Sequence, residues 1–513
     1  MKSARTGFRL FQAADRAAGR FLAALTVSPR AERNVLLALA AYAAIWTLYG
    51  TIAKSSQGLH FDMAEVIAWS RDLSFGYLKH PPFAAALVWL WFQIFPVAEW
   101  SYYLLAMLMP AAALWIVWRL SADYLDSEKR VVGVALLTLV PFFNFHALKF
   151  NVNTILLPLW AAATFAFLRS YRVPRAGRAA LAGVAAAACM LGKYWSAVLL
   201  AGFGLTALID RRRKAYFSSL APWITIVIGL AVLAPHLDWL VRHDFAPFAY
   251  AVGVHGEKPV GTSILDALGY LGGSAGYVAI PVIWVLALAR PNGAALADIA
   301  WPADPERRLV AEAFWLPLLL PALIAPVMGV EITSLWSMSA WALLPILLLS
   351  SPAVELRTAD ARHILCVAVA LPVLALIAAP AIAILDHRAG PPPSTAQARQ
   401  LAMQVESSWF KVARQALRFV GGNPDLAYAV IAYAPEAPRA LPGMPAPSDA
   451  ELKRAGAVFV CFAEDTRCRN KATAQAKHIG TGRSIVTFTL RRDFLGMPGR
   501  PQNYAITIQP PQR

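Results

Sequence analysis

Long apolar blocks alternate with short polar connections along most of the chain. A membrane-spanning helix needs about 20 apolar residues at roughly 1.5 Å rise each. On that basis the blocks predict about eleven spans, near 34–53, 100–119, 131–148, 152–169, 179–193, 194–209, 220–240, 264–289, 309–330, 335–351 and 363–385. One block, from Phe83 to Phe95, is about 13 residues, or roughly 20 Å of helix against a hydrocarbon core of about 30 Å. It is expected to lie along the interface or re-enter.

The pattern changes after Asp386 and the linker RAGPPPS. Ser394 is placed to cap a helix running to about Val420 and ended by Gly421-Gly422. AYAVIAYA, AVFVCF, SIVTFTL and YAITI follow as alternating or β-rich runs, with SDAELKRAG between them as a helix. The expected architecture is an α-helical polytopic membrane protein with a small C-terminal α/β domain outside the cytoplasm. Its parts are a basic cytoplasmic segment (1–33), a transmembrane domain (34–386, with a first external loop at 54–99) and the tail domain (387–513). The first apolar run lacks a small-residue cleavage pattern and reads as a retained anchor.

Composition agrees with this pattern. Of 513 residues, 58% are hydrophobic and 15% charged, and the formal net charge is +17; soluble chains carry about 25% charged residues. Lys and Arg gather in short loops, as orientation charge does. With Phe83–Phe95 not crossing, every strongly basic short loop falls inside: Lys129/Arg130, Arg169–Arg178, Arg211–Lys214, Arg307/Arg308 and Arg357/Arg362. Crossing would reverse every later loop and put the Arg169–Arg178 and Arg211–Lys214 clusters outside, two violations of the rule. The basic charge therefore points to membrane lipids and not to nucleic acid. Cys189 and Cys366 lie in apolar runs. Cys461 and Cys468 lie in the tail, where they read as a small disulfide loop in an oxidising compartment, or as two thiols of a metal site with no histidine nearby.

On this topology the unusual polar residues collect at one face, in segments far apart in sequence. Asp62 and Glu65, three apart, share a face if helical. They read either as a general base towards a sugar hydroxyl or as acidic residues of a helix N-terminus. Lys79 and His80 precede Pro81-Pro82, which stiffen the chain, and read as anion ligands or as snorkelling groups. Lys193 and Tyr194 lie in a tight turn between two apolar runs, with the same two readings for the lysine. Asn151 and Asn153 start a span as caps or ligand donors. His236 and Arg242 end another span, and Glu331 marks a further boundary.

Together FDMAEVIAW (61–69), GYLKHPP (76–82), FNVNTILLPLW (150–160), MLGKYWSAVLL (190–200) and PHLDWL (235–240) resemble bacterial polyprenyl-phosphate-sugar glycosyltransferases of the GT-C fold. These are the glycosyltransferase family 39, protein-mannosyltransferase-like enzymes and the lipid A aminoarabinose transferases. The resemblance covers roughly the first half of the chain. It implies a lipid-phosphate-linked sugar donor, a lipid A, lipopolysaccharide or other envelope-glycan acceptor, inverting transfer, and residence in a bacterial inner membrane. Asp62 matches the family's acidic residue of the first external loop, and Glu65 stands two positions beyond the usual adjacent Glu. Lys79, His80 and Lys193 would face the donor phosphate. Many relatives carry a further acidic residue where this chain has Asn151 and Asn153, which weakens the case for a divalent metal; no other cofactor is implied. Two alternatives stay open: a transporter or flippase of lipid-linked sugars, although transporters keep ionisable groups near the bilayer midplane, and an oligosaccharide ligase or polymerase.

Overall fold

The computed structural model describes residues 15–443 and 446–512; Lys2, Arg5 and Arg9 of the basic N-terminal segment lie outside the described residues. Among the described residues seven helices are long and apolar enough to cross a membrane: Ala31–Ala53, Glu99–Ser121, Val152–Arg172, Ala221–Arg242, Val260–Ala289, Pro305–Met328 and Thr358–Ala389. The apolar helices Ala176–Gly192 and Ser196–Ile209 are shorter, and so is Phe83–Ile94, with 12 residues.

Two expected spans are broken. In the block near 131–148 the helix Ser127–Thr138 stops ahead of Pro141. The residue before a proline is pushed out of helical space, and Val140 is extended (φ −77°, ψ 126°). The Asn144 amide donates to the freed Thr138 and Val140 carbonyls, at 2.9 and 3.2 Å. The block near 335–351 divides into two 3₁₀ turns, Ser334–Ser337 and Ala340–Leu343, and the short helix Leu344–Leu349.

The chain divides into two compact units: residues up to Thr47 with Lys79–Pro81 and Leu104–Leu376, and Leu48–Leu78 with Pro82–Tyr103 and Ile377–Arg513. In the first, helices approach through small residues, as transmembrane helices do. A Cβ on Gly183 would lie 2.5 Å from the Thr225 carbonyl, so only glycine admits the close crossing of Ala176–Gly192 and Ala221–Arg242. Thr225 Oγ1 donates across it to the Ala179 carbonyl at 3.0 Å.

The second unit is built on a five-stranded sheet. Its seven strands are β1 (Phe419–Gly422), β2 (Arg439–Ala440), β3 (Ala457–Phe462), β4 (Ser484–Leu490), β5 (Asp493–Phe494), β6 (Met497–Pro498) and β7 (Gln502–Gln509). The sheet order is β2-β1-β3-β7-β4; β1 is parallel to β2 and β3, and β7 is antiparallel to β3 and β4. Strand residues alternate between faces. Val458, Val460 and Ile506 pack with Leu401, Val405, Trp409 and Val430 from the helices Ala398–Ala413 and Pro424–Tyr433. Phe459 and Cys461 pack with Ala472 and Ala476 of Thr466–Ile479.

Two readings of the tail are corrected. The helix after the linker does not reach Val420: it ends at Ala413, with Arg414 left-handed (φ 52°), and Val420 belongs to β1. AYAVIAYA is not a strand but most of the helix Pro424–Tyr433. Asn423 caps it, accepting from the Asp425 and Leu426 amides, and Pro424 takes its first turn, where a missing N–H costs nothing. The run is apolar because most of this helix is buried, and a continuous apolar run carries no periodicity to separate helix from strand.

Candidate active site

In the first unit a cluster forms around the turn between Ala176–Gly192 and Ser196–Ile209. Lys193 ends the first helix in extended conformation (φ −164°), so the chain reverses through Lys193, Tyr194 and Trp195. The Lys193 ammonium donates to Asn153 Oδ1 at 2.8 Å and lies 4.8 Å from the centre of the Trp336 ring. Both of these groups are neutral. Asn153 is presented by the cap of Val152–Arg172, where Asn151 Oδ1 accepts from the amides of Asn153 (2.9 Å) and Thr154 (3.2 Å). Asn151 is thus a cap that positions, and Asn153 a partner of the lysine.

Trp195 Nε1 donates to the Trp336 carbonyl at 2.9 Å, and the His255 ring stands edge-on to Trp336 at 5.2 Å. Tyr194 turns the other way: its hydroxyl is 3.1 Å from His236 Nε2, and its ring stacks on the imidazole. Burial pushes the Tyr194 phenol up, so it stays neutral. His236 is 3% exposed, with Trp239 as its other ring neighbour. Phe248 closes on Tyr194 at 4.8 Å.

Glu331 joins through its backbone, its amide donating to the His255 carbonyl at 2.8 Å. Its carboxylate pairs with Lys258 at 3.1 Å. Arg242 stands apart from this cluster. It is solvent-exposed and paired with Asp238 one turn back, at 2.9 Å, as a helix-surface pair. Lys79 lies 5.8 Å from the centre of the Tyr250 ring, beside the partly exposed His80 and the buried Pro81. The first unit therefore gathers Asn151, Asn153, Lys193, Tyr194, His236 and the Glu331 loop. Trp336, Tyr250, Phe248 and His255 were not singled out from sequence, although Trp336 lies in the GVEITSLW boundary that supplied Glu331. Among the described residues no three His, Cys, Asp or Glu side chains come together as metal ligands.

The candidate carboxylates belong to the second unit. His60 caps the helix Phe61–Ser70, its Nδ1 accepting from the Asp62 amide at 3.1 Å and standing 3.9 Å from the Asp62 carboxylate. Asp62 is partly exposed in the first turn, and Glu65, one turn on, is 6% exposed. This helix is a working part of the tail's core: Ala68 packs in the cluster of Leu401, Val430 and Ile506, and Phe61 meets the Tyr428 ring.

Polar contacts tie the same loop down. Tyr433 Oη accepts from the Leu59 amide and donates to Glu99, both at 2.8 Å, and Arg399 pairs with the Glu99 carboxylate. Arg439 pairs with Asp72, and Lys54 with Asp386 at 2.8 Å. Sequence reading missed this strap, because its partners lie 300 or more positions apart. Cys461 and Cys468 are joined as a disulfide, with Cα atoms 5.9 Å apart.

A sequence profile of the dolichyl-phosphate-mannose-protein mannosyltransferase family matches residues 79–239. That stretch contains Lys79, His80, Asn151, Asn153, Lys193, Tyr194 and His236. The chain is 28% identical over 229 residues to the lipopolysaccharide core galacturonosyltransferase RgtB of Rhizobium johnstonii, spanning 43% of this chain and 45% of that protein. The chain thus matches less than half the length of this relative. Its fold is similar to that of ArnT from Cupriavidus metallidurans bound to undecaprenyl phosphate, with TM-score 0.60 at 12% identity, covering 93% of this chain and 98% of the other. For the apo state of ArnT the TM-score is 0.57 at 12% identity, covering 92% and 97%. The chain resembles the GT-C glycosyltransferases and has an ArnT-like fold.

Proposed function

We propose that this chain is a bacterial membrane glycosyltransferase that moves a sugar from a polyprenyl-phosphate carrier to a lipopolysaccharide or lipid A acceptor on the outer face of the inner membrane. The observation that carries this reading is the Lys193 ammonium, held in a turn between two apolar helices by Asn153 and an indole face, within the stretch that matches the mannosyltransferase profile. A fixed cation beside apolar helices suits the phosphate of an amphiphile. The fold of ArnT, solved with undecaprenyl phosphate, and the lipopolysaccharide acceptor in the name of RgtB support the donor and acceptor classes.

In the proposed reaction the acceptor hydroxyl oxygen bonds to C1 of the sugar from the face opposite the phosphate. The C1–O bond to the carrier breaks, its electron pair leaving with the polyprenyl phosphate, and C1 inverts. Asp62 takes the hydroxyl proton. Lys79, His80 and Lys193 stabilise the charge that grows on the departing phosphate, usually the largest contribution to such catalysis. Tyr194 and His236 shape the cluster wall, Asn151 and Asn153 position the lysine, and Arg242, paired in solvent, has no chemical part.

The test is sugar transfer in membranes supplied with a polyprenyl-phosphate-linked donor. Asp62→Asn keeps size and most hydrogen bonding, and is expected to lower transfer by about 10²–10⁴-fold at normal expression. Near-wild-type turnover would pass the role of base to Glu65. Mass spectra of envelope glycolipids with and without the gene identify the transferred unit, and identical spectra would overturn the reading.

A further inference from the structure

A second polar site is built where the last long helix of the chain meets the tail. A cavity of about 340 Å³ in the second unit is lined by Ser56, His387, Gly390, Arg492, Gly499 and Arg500. Three features mark it as constructed. Arg492 is partly buried and fixed from behind, its two terminal nitrogens donating to the Ser55 (2.5 Å) and Ala396 (3.3 Å) carbonyls. Neither Arg492 nor Arg500 forms a contact ion pair with a carboxylate among the described residues, and the Glu99 carboxylate acts on Arg492 only from further off. Ser56 is 0% exposed, and its hydroxyl has no hydrogen-bond partner among the described residues.

The backbone leaves room for this arrangement. Gly390 has φ +81°, a conformation that favours glycine, and a Cβ there would crowd Arg500 Cζ at 3.0 Å. Desolvation lowers the Arg492 pKa and outweighs the opposing pull of Tyr433 and Glu99; a bound anion would offset that cost. Ile377 and Leu385 of Thr358–Ala389 are exposed apolar residues of a membrane-length helix, and His387, on the cavity wall, follows them directly. The cavity thus adjoins the end of this helix's apolar stretch, and headgroup phosphates reside at such borders.

We propose that this cavity binds the phosphate monoester of an anionic membrane lipid, through Arg492, Arg500 and the Ser56 hydroxyl. Guanidinium groups bind phosphate through paired charge-assisted hydrogen bonds, and the serine hydroxyl supplies a further donor. The site shares no residue with the Lys193 cluster, and the inference does not depend on the proposed transfer reaction.

The experiment uses the full chain in lipid nanodiscs, in a Lys193→Met background so that lipid held by the other cluster does not contribute. Retained phosphatidic acid is counted by native mass spectrometry, with phosphatidylcholine as control. Arg492→Gln/Arg500→Gln is expected to lower phosphatidic acid retention on the order of tenfold or more, the scale set by removing charge-assisted hydrogen bonds, and to leave phosphatidylcholine unchanged. Arg492 also anchors two backbone carbonyls, so Arg500→Gln alone, on an exposed side chain, and Ser56→Ala serve as variants that retain the fold. Each is expected to give a smaller loss. Displacement by inorganic phosphate would assign recognition to the phosphate group alone, and its failure to displace would assign it to the headgroup in its bilayer setting. Equal retention by wild type and all three variants would overturn the site.

Discussion

Removing one oxygen from Tyr433 tests whether the loop that carries Asp62 is held by the tail. Tyr433→Phe keeps the ring, and with it the packing and the Arg399 guanidinium 4.7 Å from the ring centre. It deletes the acceptor of the Leu59 amide and the donor to Glu99, both at 2.8 Å. Leu59 is 4% exposed, so its N–H loses a partner that water does not readily replace, at about 1–3 kcal/mol. The bond to the Glu99 carboxylate belongs to the class worth about 1.5–3 kcal/mol, but Arg399 still holds that carboxylate and recovers part of it. The expected net loss is about 2–3 kcal/mol, or roughly 25- to 150-fold in the opening equilibrium of the loop. Hydrogen exchange of the full chain, followed in peptides from 54–70, reads it directly, since opening of the loop exposes these amides. Tyr433→Phe and Glu99→Gln together should cost less than the sum of the two. Burial, and then the Glu99 carboxylate, push the Tyr433 phenol well above its ordinary value. A raised folded value keeps this contribution whole below the unfolded pKa of about 10 and loses it as pH rises beyond, so protection should not change between about pH 7 and 9 through this group. Wild-type exchange in peptides 54–70 of Tyr433→Phe would refute the strap.

Lys193→Met keeps the aliphatic stem and removes the ammonium; kcat/KM for the lipid-linked donor should fall by about 10- to 100-fold, as for one charge-assisted contact, and an unchanged value removes Lys193 from donor binding. Intact mass of protein taken from the membrane without reductant should be lighter by two hydrogens for the Cys461–Cys468 bond, and Cys461→Ser should cost about 2.5 kcal/mol by the loop-entropy relation for so short a loop; two freely alkylated thiols in the isolated protein contradict this. The helix Phe83–Ile94 spans roughly 18 Å, too little to cross, so Leu78→Cys and Val97→Cys, at its two exposed ends, should both react with an impermeant reagent from the same side. Reaction from opposite sides would place that helix across the membrane.

What was legible in the sequence followed from local constraint. Long apolar blocks became long helices because a bilayer leaves the backbone few other ways to satisfy its polar groups. Lys193 stood out because a charge between two apolar runs has few places to go. The break at Pro141 was written in the sequence too, but block length alone hid it. The helix Pro424–Tyr433 was misread because a buried run carries no period, although Asn423-Pro424 was a usable start signal. The strap was illegible for a different reason. Glu99, Arg399 and Tyr433 are ordinary residues in their own neighbourhoods, and only tertiary structure brings them together.

The involvement of Ala68 in the tail's core bears on the order in which this protein is made. Lys54 and its partner Asp386 are 332 positions apart. At about 5–20 residues per second, roughly a quarter of a minute to a minute of synthesis separates them. For that interval the helix Phe61–Ser70 lacks the surface that buries it, and the tail, when it emerges, lacks a piece of its interior until the loop is recruited. Removing the C-terminal domain would therefore strip the helix Phe61–Ser70 of packing partners such as Leu401 and Val430. Emergence of the tail is the event that sets the first loop, and a chain stalled before Tyr433 would hold its earlier helices with the Asp62 loop still unfastened.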